Sequence, residues 1–384
     1  MSARGDTALA ADAPARPAPD EVSEALHPSL TPFLAGHEEA EALLAKALAE
    51  GNMHHAWMIT GPPGIGKATL AYRLARKLLE GGNAGPGLFG DTPEGLETDP
   101  EGLTFAQVAS GSHPNLLRLT RQWNFTTKKY RTEIRVDDVR QLAAFLGQKA
   151  ERRGRRVVVI DAADDMNRNA ANALLKPLEE PPADTVFILV THRPGGLLPT
   201  IRSRCRTIDL RPPGQEAAMR VLERLAPEIE GAHAARLLAL ADQSPGTAIR
   251  LDQQGALELH GELVKLFSAL PRAPRPVVDA ITRGVDRRGD AAERRFHLIF
   301  DLIEGIVQRM IGSAVAGGQR LPEALADEGE FARRLTAGSL EQWFDLCDNL
   351  RRLRDRTDTV NLNQKAVTLT LISALESAAR AAAN

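Results

Sequence analysis

Cysteine is nearly absent from this chain of 384 residues, which holds only Cys205 and Cys347. Two thiols cannot build a disulfide framework or a cysteine-rich zinc site, and their scarcity fits a reducing cytosol, hence a cytoplasmic protein. An excess of charge of one sign is also missing. The formal net charge is −2, so a strongly basic nucleic-acid binder is not indicated, and contact with DNA is expected to be local or shared with partners. No apolar run approaches the length of a membrane span. The first residues, MSARGDTALAADAPARPAPDE, lack the apolar core of a signal peptide and mix acids with Pro and Ala, so residues 1–27 read as a disordered tail. With hydrophobic residues at 43% and charged residues at 26%, the rest has ordinary globular composition, long enough for two or three domains.

What is present is an alternation of strand and helix patterns. HEEAEALLAKALAE (37–50) spaces its leucines and alanines as an amphipathic helix. HHAWMIT (54–60) reads as a strand running into GPPGIGKATL (61–70), after which Leu70, Leu74 and Leu78 share one helical face. A Gly-, Pro- and acid-rich stretch opens an irregular insertion over 81–112. IRVDDVRQLAAFLGQKA (134–150) reads as a strand end and a helix capped by Asp137, and ERRGRR (151–156) as a charged turn. VVVID (157–161) and TVFILVT (185–191) are continuous apolar runs of strands buried on both faces, and RTIDL (206–210) is a fourth strand. Between them, NRNAANALLKPLEEPP is a helix stopped by prolines. This order predicts an α/β domain with a parallel sheet over 28–212. Residues 213–384 are helical in pattern, broken near LPRAPRP (270–276), which divides them into 213–276 and 277–384.

The glycines and lysine of GPPGIGK are those of a phosphate-binding loop. Gly61, Gly64 and Gly66 let backbone N–H groups turn inward on a phosphate, while Lys67 and the start of the following helix add positive charge. A hydroxyl normally follows the lysine and holds magnesium, but here the residue is Ala68. Thr69 is rotated from that position by about 100° and is no substitute. Asp161 ends its strand where the magnesium-side acid of such an ATPase sits. The acid that orients water commonly comes next, but that residue is Ala162. Asp164 and Asp165 are expected to cap the next helix. In TIRSRCRTIDL (200–210), Arg202, Arg204 and Arg206 share a face if the segment is extended. They are either a solvated rim or the source of an arginine finger. His54 and His55 on a strand face opposite ways and cannot chelate one metal together. WNFTTKKYR (123–131) fits a hairpin with one solvated face, with nucleic-acid contact as the alternative.

The loop Gly61–Lys67, Asp161, ANALLKPLEEPP (171–182) and SRC (203–205) together resemble the bacterial clamp-loader subunits of the AAA+ family. The resemblance covers residues 28–210, and NLNQKAVTLTLISAL (361–375) resembles the last helices of the family's collar. It implies a P-loop AAA+ domain, a small helical lid (213–276) and an all-α collar (277–384) that joins a five-subunit spiral. It implies as partners the gamma/tau and delta subunits, a sliding clamp and primed DNA, with no membrane. In such a spiral each ATP takes its phosphate loop from one subunit and the SRC arginine from the next, so Arg204 falls at the finger position. Thr191 falls at the family's sensor-1 position. Members that hydrolyse ATP carry a hydroxyl, a second acid and a lid arginine where this chain has Ala68, Ala162 and Gly246. The expectation is therefore a subunit without its own ATPase, against the alternatives of an active ATPase using Thr69 or a distant acid and of an adaptor that binds ATP without turnover. Many relatives carry a four-cysteine zinc module where 81–112 has no cysteine, so no zinc is expected. The apolar run FHLIFDLIEGIVQRMI (296–311) is expected to bury against neighbouring subunits.

Overall fold

The structure is a computed structural model and describes residues 26–80, 95–126, 129–147, 154–286, 289–317, 321–360 and 363–382. Nearly all of the expected tail, half of the expected insertion and the first half of the ERRGRR turn lie outside these residues. The chain divides into two units, Met1–Ala226 with Ser244–Thr247, and Pro227–Gln243 with Ala248–Asn384.

The first unit begins with α1 (Glu38–Ala49), β1 (Ala56–Thr60), α2 (Lys67–Glu80) and α3 (Leu103–Ser110). There follow β2 (Leu116–Leu119), the short β3 (Trp123–Asn124) and β4 (Lys129–Tyr130), and α4 (Val136–Gly147). It ends with β5 (Arg156–Asp161), α5 (Arg168–Glu179), β6 (Thr185–Thr191), α6 (Pro199–Arg202), β7 (Arg206–Asp209) and α7 (Gln215–Leu225). Five strands form a sheet in the order β2-β5-β6-β1-β7, every pair parallel. The continuous apolar runs of β1, β5 and β6 are explained by burial on both sides. Trp57, Ile59, Val157, Val159, Ile188 and Val190 face α1 and α2, while Met58, Val158, Ile160, Phe187 and Leu189 face α4 and α5. Leu70, Leu74 and Leu78 are all buried on the inner face of α2, each contributing about 2 kcal/mol by removal from water.

Several sequence expectations need correction. The sheet has a fifth strand, β2, which the sequence pattern did not reveal. LLRL is only four residues long and pairs on one side alone, so its alternation is weak. Residues 103–110, expected to be irregular, form α3, because Phe105 and Val108 lie one turn apart and both bury, with Arg76 stacked 4.5 Å from the Phe105 ring. Asp137 does not cap α4 but sits in its first turn, paired with Arg140 at 2.7 Å. The buried Asp138 instead accepts from the Arg135 backbone N–H at 2.8 Å. The hairpin is present, with Trp123 packed edge-on to Tyr130 at 5.1 Å.

The second unit is helical: α8 (Gly231–Leu240), the remainder of α9 (Pro245–Gln253), α10 (Ala256–Ala269) and α11 (Arg275–Thr282) lead to the 26-residue α12 (Asp290–Val315). They are followed by α13 (Gly329–Leu335), α14 (Glu341–Val360) and α15 (Gln364–Ala382). Phe296, Ile299, Phe300, Ile303, Ile306, Val307 and Met310 of α12 are buried within this chain itself. The run 296–311 is therefore covered by the unit's own helices rather than kept for neighbours, because an apolar stripe shows that a face is covered and not by what. At the unit's centre Glu328 is fully buried, taking a hydrogen bond from His260 Nε2 at 2.7 Å and a forked pair from Arg309 at 2.9 and 2.7 Å. Burial alone raises that carboxyl, but the bonds from His260 and Arg309 outweigh it and hold it below the usual carboxylate range. Among the described residues, no helix is long and apolar enough to cross a membrane.

Candidate functional site

The phosphate loop joins the end of β1 to the start of α2, and its glycines are required by its path. Gly61 has φ 139°, and a Cβ there would lie 2.3 Å from the Leu210 carbonyl oxygen. Gly64 has φ 74°, and a Cβ there would lie 2.5 Å from the Thr247 nitrogen and 2.6 Å from the Ser244 hydroxyl. Gly66 shares the left-handed region at φ 105°.

Consecutive carbonyls of this loop are all bonded by the chain's own groups. Lys67, 3% exposed, turns its Nζ back to donate to Pro62 at 2.5 Å. Pro63 accepts from Ser244 Oγ at 2.8 Å and Thr247 Oγ1 at 3.3 Å. Gly64 accepts from the Gly246 N–H at 2.9 Å, and Ile65 accepts from His37 Nε2 at 2.7 Å. Gly246, where active relatives are expected to carry an arginine, has no room for a side chain, since a Cβ there would lie 2.9 Å from the Gly64 oxygen. Ala68 is half-buried against the α/β core and Ala162 is buried. His37, Ser244 and Thr247 are the participants that sequence reasoning missed. Ser244 and Thr247 lie beside Gly246 in SPGTAIRL (244–251), but nothing local marks a segment so distant in sequence as a partner of the loop.

Asp161 and Thr191 end neighbouring strands at this same edge of the sheet, with Asp161 opposite Val190 and Thr191 opposite Thr60. Thr191 is fully buried and donates through Oγ1 to Asp164, which also takes the backbone N–H groups of His192 and Arg193. Asp164 therefore ties the turn after β5 to the end of β6 and does not cap α5. Asp165 pairs with Arg121 at 3.0 Å, and the cap is Asn167, which accepts from Ala170 at 2.9 Å.

The three arginines do not share a face. The segment is not extended: α6 covers Pro199–Arg202, Arg202 is exposed, and only Arg206 lies in a strand, its guanidinium 5.1 Å from the Trp57 ring centre. Arg204 donates from Nη1 to the Thr200 carbonyl at 2.8 Å and pairs through Nη2 with Glu179 Oε1 at 2.6 Å. Arg204 precedes β7, whose first residue, Arg206, stands opposite Trp57 near the start of β1. The phosphate loop follows the other end of β1. Arg204 and its own chain's loop thus lie at opposite edges of the sheet, separated by the length of a strand of about 3.3 Å per residue.

His54 and His55 precede β1 rather than lying in it, and their rings are stacked 4.3 Å apart instead of facing opposite ways. Burial, then the neighbouring His54, holds the His55 ring below its usual pKa. Burial pushes the Cys205 thiol up to about 11, so it is not a reactive thiolate. Among the described residues, no group of three or more His, Cys, Asp or Glu side chains is arranged to hold a metal ion.

A glycine loop leaving the strand β1, an aspartate closing β5 and the strand order β2-β5-β6-β1-β7 define a P-loop module of AAA+ type. A family model described as "DNA polymerase III, delta subunit" matches residues 36–214. The subunit delta' of DNA polymerase III from Escherichia coli is 31% identical over 301 residues, 78% of this chain and 83% of that one. The corresponding subunit from Pseudomonas aeruginosa is 38% identical over 59% of this chain, a match spanning 64% of its own length, just under two thirds. Subunit tau from Salmonella typhimurium is 32% identical over 59% of this chain but only 33% of that protein. The chain belongs to the family of DNA polymerase III delta' subunits.

Proposed function

We propose that the chain serves DNA replication as a clamp-loader subunit that assists ATP hydrolysis on a neighbour without hydrolysing ATP itself. Family membership supports the role in clamp loading. The observation that carries the rest is the separation of Arg204 from its own phosphate loop. A guanidinium at the far edge of the sheet does not reach a phosphate in the same chain's cradle, which supports a role toward one held by another subunit.

The cradle serves as scaffold. Ala68 offers no hydroxyl to magnesium, Lys67 is turned onto Pro62, and Ser244–Thr247 ties down the loop through the carbonyls of Pro63 and Gly64. These residues do not fit a magnesium–nucleotide group. Residues 213–276 act as the lid and 277–384 as the collar that joins the assembly, in a loader with gamma/tau and delta subunits acting on a sliding clamp and primed DNA.

Co-purification with gamma/tau, delta and the clamp tests the assembly. Steady ATP turnover by the isolated chain, abolished in Lys67→Ala, would establish the active ATPase instead. Equilibrium titration with a fluorescent ATP analogue separates an empty scaffold from an adaptor that binds without turnover, the scaffold showing no saturable signal.

A further inference from the structure

We propose that Glu179 is the positioning residue of Arg204, a role that rests on the reading of Arg204 as the group serving a neighbour's nucleotide. Glu179 is the last residue of α5, and Pro181 and Pro182 stop the chain from continuing as helix, which fixes where that carboxylate stands. The position is a poor one for an acid. The open carbonyls at a helix C-terminus repel a carboxylate and favour a cation, so Glu179 does nothing for its own helix. It faces instead a guanidinium at 2.6 Å, brought by the separate α6 segment.

The pair is not built for stability. The two side chains are 33% and 46% exposed, a setting in which ion pairs contribute little to folding. What the contact does is fix direction. Arg204 is held at both terminal nitrogens, Nη2 by Glu179 and Nη1 by the Thr200 carbonyl at 2.8 Å, with Ser203 Oγ a third, longer contact at 3.4 Å. A long side chain fixed at two points has lost most of its rotamer freedom before any phosphate arrives, so less is lost on binding one. The planar fork has more donors than these partners use, which leaves N–H groups for an incoming oxygen. The two segments that the sequence marks together, ANALLKPLEEPP and SRC, are thereby joined by one contact: the first carries the clamp, the second the group it holds.

The test is the ATP turnover of the reconstituted loader at saturating ATP with clamp and primed DNA, using wild type, Glu179→Gln, Glu179→Asp, Arg204→Ala and the double variant Glu179→Gln/Arg204→Ala. Glu179→Gln is expected to slow the one site that Arg204 serves roughly tenfold, read as a smaller drop in the loader's summed kcat that does not exceed the drop in Arg204→Ala, with KM for ATP unchanged, because a misdirected guanidinium weakens the transition state and not nucleotide binding. Glu179→Asp should recover part of that loss. In the Arg204→Ala background, Glu179→Gln should cost nothing more, since no finger remains to be positioned. A normal rate for Glu179→Gln alongside a slow Arg204→Ala overturns the positioning role and leaves the finger intact. A Glu179→Gln loss that persists without Arg204 assigns the effect to damaged structure and also overturns it. A normal rate for Arg204→Ala removes the finger itself, and the positioning role with it.

Discussion

The two edges of the parallel sheet have opposite characters. At the edge where the strands end, the loop is shaped for phosphate, yet its carbonyls from Pro62 to Ile65 and its lysine are held by His37, Ser244, Gly246, Thr247 and the loop itself. At the edge where β1 and β7 begin, one half-exposed arginine rests on a single carboxylate. A phosphate loop is at once a tight turn, a helix start and a ligand site, and the first two functions survive the loss of the third. An arginine finger needs only a charge and a direction.

The largest effect tests the second edge. Arg204→Ala in the assembled loader should leave the subunits together and slow ATP turnover at the site it serves by about 10³-fold, with a smaller loss in the summed rate because other sites keep their own fingers. An unchanged rate would collapse the contrast between the edges. Glu328→Gln gives the control that separates lost activity from lost folding, since it touches neither edge. It leaves Arg309, 13% exposed, without its counter-charge. The helical unit should lose about 3 kcal/mol in urea unfolding at neutral pH. Because the folded carboxyl is held below its ordinary value of 4.5, the wild type's advantage is complete above that pH and drains away as the pH falls through the lowered value. Urea midpoints for both proteins at several pH values between neutral and acid check the sign: the gap should narrow toward acid. Gly61→Ala probes the first edge as pure scaffold. A methyl 2.3 Å from the Leu210 oxygen, on backbone at φ 139°, should cost the α/β unit about 2 kcal/mol in the same measurement.

The framework of the sheet was legible because β1, β5 and β6 are buried on both faces and so write unbroken apolar runs into the sequence, and because ANALLKPLEEPP carries its own proline stop. The edge strand β2 was not legible, since LLRL pairs on one side and includes an arginine. The loop and Arg204 were legible as residues, but their surroundings were not. Ser244 reaches Pro63 across 181 positions, Asp164 reaches Thr191, and Glu179 reaches Arg204, all through tertiary packing that no local pattern records. The α12 stripe shows the reverse fault: its periodicity was strong, but it points inward to the unit's own helices.

The smallest effect is the sharpest test of the contrast. Lys67→Ala removes the most chemically suggestive group of the first edge. In a working phosphate loop the lysine balances phosphate charge, and its loss cripples turnover. Here its ammonium is buried against the Pro62 carbonyl, so its removal frees one loop acceptor and opens a small space beside α2. Thermal unfolding should register a loss of about 1 kcal/mol, less than a charge-assisted hydrogen bond usually contributes, because the cost of burying the ammonium is removed along with the bond. Turnover by the assembled loader should match that of the wild type within error, while Arg204→Ala measured beside it is slower by the share of the site it serves. If the two variants fell together, the cradle would still be handling nucleotide, and the two edges of the sheet would have to be read as parts of one active ATPase.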